Sequence, residues 1–188
     1  MTDPERLPPD LPVPLDDGAC RHLPGLRMPA LALPRTGGGT VDLGRATPAW
    51  AVFYCFPRAS QPGVPPPPDW DRIPGARGCT AQACDFRDHH QRLAALGAVV
   101  FGISTQTRAV QQEVATRLHL PFDLLSDDGF RLTEALGLPT FAAGGLRLLR
   151  RLTLVVRHAV IEAVFYPIFP PDRSTVPVID WLASRQTR

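Results

Sequence analysis

The chain has 188 residues, 44% of them hydrophobic, which is enough for one domain with a substantial core and too few for two comfortable ones. Its formal net charge is only +2 and its basic residues are scattered, so it shows no electrostatic footprint for nucleic acid or for an anionic membrane. All 20 basic residues are arginine and neither lysine nor asparagine occurs, which excludes lysine Schiff bases, phosphate-loop lysines and serine–lysine dyads.

Residues 1 to about 24 carry Pro4, Pro8, Pro9, Pro12, Pro14 and Pro24 with little periodicity, which predicts a proline-rich extended arm. Residues 25–188 read as a single domain. Met28 to Leu33 is expected as a short strand, Arg35 to Thr40 as a glycine turn and Val41 to Leu43 as the returning strand. The continuous apolar run Ala49 to Phe56 fits a strand buried on both faces, ended by Pro57. From about 57 to 78 the chain is a Pro/Gly-rich loop containing Pro65 to Pro68 and Trp70, long enough to be functional or disordered. Its proline run suits either a stiff lid or a ligand for a proline-reading module.

Thr80 to Leu96 has the spacing of one amphipathic helix with Gly97 as its stop, and Val99 to Ile103 follows as a buried strand. Further helices are expected at about Arg108 to Leu118, Phe130 to Leu136 and Thr175 to Ser184. Strands are expected at Phe122 to Leu125, Arg151 to Val156 and Val160 to Phe165, the last two paired antiparallel across Arg157 to Ala159. This βαβαβ order predicts an α/β fold, a central mixed sheet covered by helices on both faces.

No basic, apolar, small-residue leader opens the chain and no apolar run approaches ~18 residues, so a cytoplasmic protein with no membrane segment is expected. In a reducing compartment its four cysteines are reactive or buried thiols rather than a disulfide framework. Cys55, inside an apolar strand, reads as a small buried hydrophobe, and Cys20 as a packed or surface thiol.

Cys79 and Cys84 are different. A thiol opening a helix sits where the macrodipole and unpaired N–H groups favour an anion, which makes Cys79 a candidate nucleophile. On an intact helix a residue five positions on has its Cα roughly 8.5 to 9 Å away, beyond the ~7 Å that a disulfide tolerates. The pair can close only if the helix start unwinds, which fits a redox cycle better than a permanent bridge. Two other readings are weighed against it. A zinc site with His89 and His90 is disfavoured because Cys84 and His89 project about 140° apart around the axis and the cysteine spacing is wider than usual zinc spacings. Two inert thiols would need no helix N-terminus.

The stretch Gly78-Cys79-Thr80-Ala81-Gln82-Ala83-Cys84-Asp85-Phe86-Arg87-Asp88 resembles the peroxiredoxin Q, or bacterioferritin comigratory protein, group of peroxiredoxins. Phe101-Gly102-Ile103-Ser104-Thr105, Leu120 to Asp127 and Arg151 to Val156 are similar to later segments of that family in the same order, so the resemblance runs from about Met28 to Leu182. It implies a thioredoxin-like fold and thiol peroxidase activity with no metal or organic cofactor. Cys79 would attack the peroxide, Cys84 would resolve the sulfenic acid as a disulfide, and thioredoxin or a similar dithiol would reduce it. Arg151, carried over by position, would stabilise the thiolate and the leaving oxygen. Arg150, by alternation, faces the other way.

The family's proline and threonine or serine before the peroxidatic cysteine are not intact here, because Arg72 and Ala76 occupy those positions. Pro57 and Ser60 resemble the displaced front of that motif, which makes Ser60 the candidate hydroxyl and leaves Thr80 or backbone N–H groups as substitutes. A monomer or weak homodimer is expected. The alternatives are a redox sensor or binding module with little turnover, and a thioredoxin-like disulfide reductase, the latter disfavoured by the missing CxxC spacing.

Overall fold

The computed structural model describes residues 7–45 and 49–186; Pro4 and the start of the expected arm lie outside them. A five-stranded sheet organises the molecule. Its strands are β3 (Trp50–Cys55), β4 (Ala98–Ser104), β5 (Leu124–Ser126), β8 (Leu152–Arg157) and β9 (Val160–Phe165), in the order β5-β4-β3-β8-β9. β3 to β5 run parallel, while β8 and β9 are antiparallel to their neighbours, so the sheet is mixed as the residue pattern predicts. Two small hairpins stand apart from it, β1 (Ala32–Pro34) with β2 (Thr40–Asp42), and β6 (Thr140–Ala143) with β7 (Leu146–Leu149).

Period-two alternation in β3 divides the core. Phe53 and Cys55 face one side, packed with Leu154, Ile103 and the buried Leu132 and Leu136 of α4 (Arg131–Leu136). Cys20, Leu23 and Met28 are buried in the same cluster. Val52 and Tyr54 face the other side, beneath α1 (Cys79–Asp88), α2 (His90–Ala95), α3 (Arg108–Arg117) and α5 (Thr175–Gln186). The Tyr54 ring stacks on Phe86 of α1 at 4.3 Å between centroids, which fixes that helix over the middle of the sheet.

Several expected boundaries move. The expected strand from Met28 is replaced by a single bridge from Arg27 to Val160 at the sheet edge, with β1 starting only at Ala32. β5 begins two residues late, because the Asp123 carboxylate accepts from Thr36 Oγ1 at 2.9 Å and holds the end of β1 instead of extending the strand. The single helix expected over Thr80 to Leu96 is interrupted at His89, with neither Gly nor Pro to mark it. The β6–β7 hairpin was not expected. Its turn, Gly144-Gly145, takes φ of 55° and 76°, the left-handed pair that a two-residue hairpin requires.

Two contacts set the position of α1. The Asp85 carboxylate accepts from the Thr175 backbone N–H at 2.8 Å and from Thr175 Oγ1 at 3.0 Å, so α1 caps the N-terminus of α5. Burial holds the Asp85 carboxyl above its ordinary pKa, partly offset by those two hydrogen bonds. At the other end, Gly78 precedes Cys79 at φ 103°, and a Cβ there would lie 2.3 Å from Pro171 Cγ. Gly78→Ala should therefore lower stability by about 1–3 kcal/mol through backbone strain and that clash. Urea unfolding checks this; an unchanged midpoint would show that the start of α1 is not sterically fixed.

Candidate active site

Cys79 is the first residue of α1 and is 5% exposed. Three groups reach its sulfur. The backbone N–H of Arg58 donates to Sγ at 3.4 Å, Arg151 Nη2 donates at 3.3 Å, and the Ala76 carbonyl lies 3.7 Å away. The first two are donors pointed at the sulfur.

Arg151 immediately precedes β8, is 3% exposed and has no carboxylate within ion-pair distance among the described residues. Its Nη1 is hydrogen-bonded to Gln82 Oε1 on the next turn of α1. Its Nη2 is also 3.3, 3.3 and 3.2 Å from the carbonyls of Gly75, Ala76 and Arg77. One side chain thus holds the end of the loop, the first turn of α1 and the sulfur together. A guanidinium does not lose its proton in a protein, so this buried cation calls for a counter-charge. The carbonyl dipoles supply part of it and an anionic Sγ would supply the rest.

Magnitudes rank the two influences on the sulfur. A helix N-terminus favours an anion by about 0.3–1 kcal/mol. A unit charge 3.3 Å away contributes on the order of 5 kcal/mol at an effective dielectric of about 20. Arg151 therefore outweighs the helix terminus on which the sequence argument for Cys79 rests.

Ser60 is brought to the site. Its Oγ lies 3.4 Å from Thr80 Oγ1, and both residues line the pocket over Cys79. The loop start is pinned there. Gln106, after β4, accepts from the Ala59 N–H at 2.8 Å and donates to its carbonyl at 3.1 Å, while Arg117 of α3 donates to the Ser60 carbonyl at 2.8 Å. Cys84, on the buried side of α1, shares that helix with Cys79, so the pair keeps the roughly 8.5 to 9 Å Cα separation of an intact helix. None of the four cysteines is disulfide-bonded.

Cys20 and Cys55 lie in the core on the other face of the sheet. Burial pushes Cys20 up to about 12, with Asp17 and Asp16 adding to it, and burial raises Cys55 as well. Both stay protonated thiols. Arg77 pairs with Asp71 at 3.2 Å, and His89 Nδ1 sits 2.9 Å from the Asp85 carbonyl. Among the described residues no group of three or more His, Cys, Asp or Glu side chains is placed to hold a metal ion.

Sequence reasoning missed Gln82, Gln106 and the Asp85–Thr175 pair. Gln82 and Asp85 stood in the quoted stretch, but nothing in the spacing says that one meets an arginine 69 positions away or that the other caps a helix 90 positions away.

The Redoxin family model matches residues 23–180. The peroxiredoxin Bcp of Bacillus subtilis is 34% identical over 111 residues, covering 59% of this chain and 61% of that protein. The chloroplastic peroxiredoxin Q of Triticum aestivum is 31% identical over 146 residues, covering 77% of this chain and 59% of that protein. The alignments thus span about three fifths of those two relatives' length. The crystal structure of peroxidoxin BcpB from Mycobacterium tuberculosis matches with a TM-score of 0.69 at 23% identity, over 87% of this chain and 98% of that one.

Replacing Arg151 separates charge from chemistry. Arg151→Met should slow oxidation of Cys79 by hydrogen peroxide about a hundredfold, the scale of losing one preorganised donor. Alkylation by iodoacetamide at alkaline pH, which needs the thiolate but no oxyanion site, should slow far less. Equal losses in both reactions, or none in either, would make Arg151 a structural residue.

Proposed function

Since this chain belongs to the redoxin family, with peroxiredoxin Q and Bcp proteins among its relatives, we propose that it is a thiol peroxidase that reduces hydrogen peroxide or organic hydroperoxides. The observation that carries this reading is a buried arginine, without a carboxylate partner among the described residues, 3.3 Å from a cysteine at the foot of a pocket. In the proposed step the Cys79 thiolate attacks the distal oxygen of the peroxide. An S–O bond forms, the O–O bond breaks, and the remaining alkoxide or hydroxide leaves as an alcohol or water after taking a proton. Sulfur is oxidised by two electrons and the peroxide is reduced by two. Arg151 and the Arg58 N–H are the donors nearest the reacting sulfur, with the Ser60 and Thr80 hydroxyls at the pocket wall.

The resulting sulfenic acid condenses with Cys84, releasing water and forming a disulfide that thioredoxin or a similar dithiol reduces. This requires the first turn of α1 to open, because a bridge cannot span the intact-helix separation. We assign the protein to the cytoplasm, as a monomer or weak homodimer. Residues 25–188 form the catalytic domain, and the end of the preceding arm packs Cys20 and Leu23 into its core. Neither zinc nor an organic cofactor enters the scheme.

Two variants test the assignment of the thiols. Cys79→Ser should abolish peroxide consumption, and retained turnover would move the nucleophile elsewhere. Cys84→Ser should keep the first oxidation and strand the product, so mass spectrometry after one equivalent of peroxide should show one added oxygen on the Cys79 peptide. An unmodified peptide would contradict the proposed pair.

A further inference from the structure

The pocket over Cys79 is far larger than hydrogen peroxide needs. It is a half-open pocket of about 200 Å³, whereas one water needs only about 10–15 Å³ of such space and a dry cavity of about 150 Å³ accepts a benzene ring. Its polar end is the site already described. Its other wall is built by the 57–78 loop from Val64, Pro66, Pro67 and Trp70, four side chains with no charge, and of these only the indole N–H is polar.

This wall is anchored. Trp70 is 7% exposed and packs in a separate small core with Ala76, Ala143 and Leu148. Its ring lies 6.2 Å from that of Phe141 in β6. The hairpin also braces the proline run, since a Cβ on Gly144 would meet Pro67 at 3.0 Å. Such a surface is formed before anything binds, so a ligand seated on it spends little on ordering the loop.

Resting on the thiol peroxidase reading, we infer that the 57–78 loop makes the enzyme selective for hydroperoxides carrying one compact apolar group, of about the size of a phenyl ring, with Val64 and Trp70 as specificity-determining residues. The peroxy group meets Cys79 and the organic group lies against the loop wall. Hydrogen peroxide fits the same oxygen positions but gains nothing from the wall. In an apolar pocket each methylene-sized contact alters discrimination by about 10- to 200-fold, so a whole ring is ample for a clear preference.

The test is stopped-flow oxidation of the full chain by cumene hydroperoxide and by hydrogen peroxide. The second-order rate constant for cumene hydroperoxide should exceed that for hydrogen peroxide at least tenfold. Trp70→Ala should lower that ratio tenfold or more. Val64 is 44% exposed and accepts a polar side chain without disturbing the core, so Val64→Glu gives the same test with the loop intact. Oxidation by both peroxides at similar rates, or a ratio unmoved by both variants, would overturn the selectivity while leaving the peroxidase reading in place. No oxidation by either peroxide would overturn both.

Discussion

One buried guanidinium organises the functional half of this molecule. Arg151 enters the core just before β8 and finds no carboxylate among the described residues. It spreads its N–H groups over three loop carbonyls, Gln82 and the Cys79 sulfur. Stripping a buried charge of its partners costs about 3–5 kcal/mol, so the loop end, the first turn of α1 and the thiol are tied to one another through the same residue. Reactivity and local structure share a cause here. In the proposed cycle, converting the sulfur from an acceptor of that cation into a disulfide partner would also loosen the turn that presents it.

The rest of the fold keeps this cluster in place. β3 sets Tyr54 beneath Phe86, the Asp85 carboxylate caps α5, and Gly78 lets the chain pass Pro171 on its way into α1. The Gly78 constraint precedes the first turn of α1, and the Asp85 cap and the Phe86 stack hold its second half. An opening confined to the first turn would break the Arg151 contacts without disturbing either the α5 cap or the Tyr54 stack.

The sheet and its flanking helices were legible in the residue pattern because they follow period-two and helical spacings. The placement of Cys79 and Cys84 on one helix was legible because that helix starts directly after a long loop. What the sequence concealed was of two kinds. Long-range polar contacts such as Arg151 with Gln82 depend on tertiary placement and leave no local periodicity. The β6–β7 hairpin did leave a signal, Gly144-Gly145 between short apolar runs, but its four-residue strands are too brief for alternation to stand out. Overlooking it also hid the packing of the proline run, which reads in the sequence as a stiff lid or a ligand for a proline-reading module and which in the structure lies against that hairpin at Gly144. The interruption at His89 likewise has no breaker residue to announce it.

The central claim is that the reduced thiol and Arg151 hold the first turn of α1 shut and that disulfide formation with Cys84 opens it. Hydrogen exchange measured by mass spectrometry on the reduced and the peroxide-oxidised protein tests this most directly. Peptides covering residues 79–86 should lose protection on oxidation, together with the end of the 57–78 loop, while β3 and β8 keep theirs. Equal protection of α1 in both redox states would contradict the account.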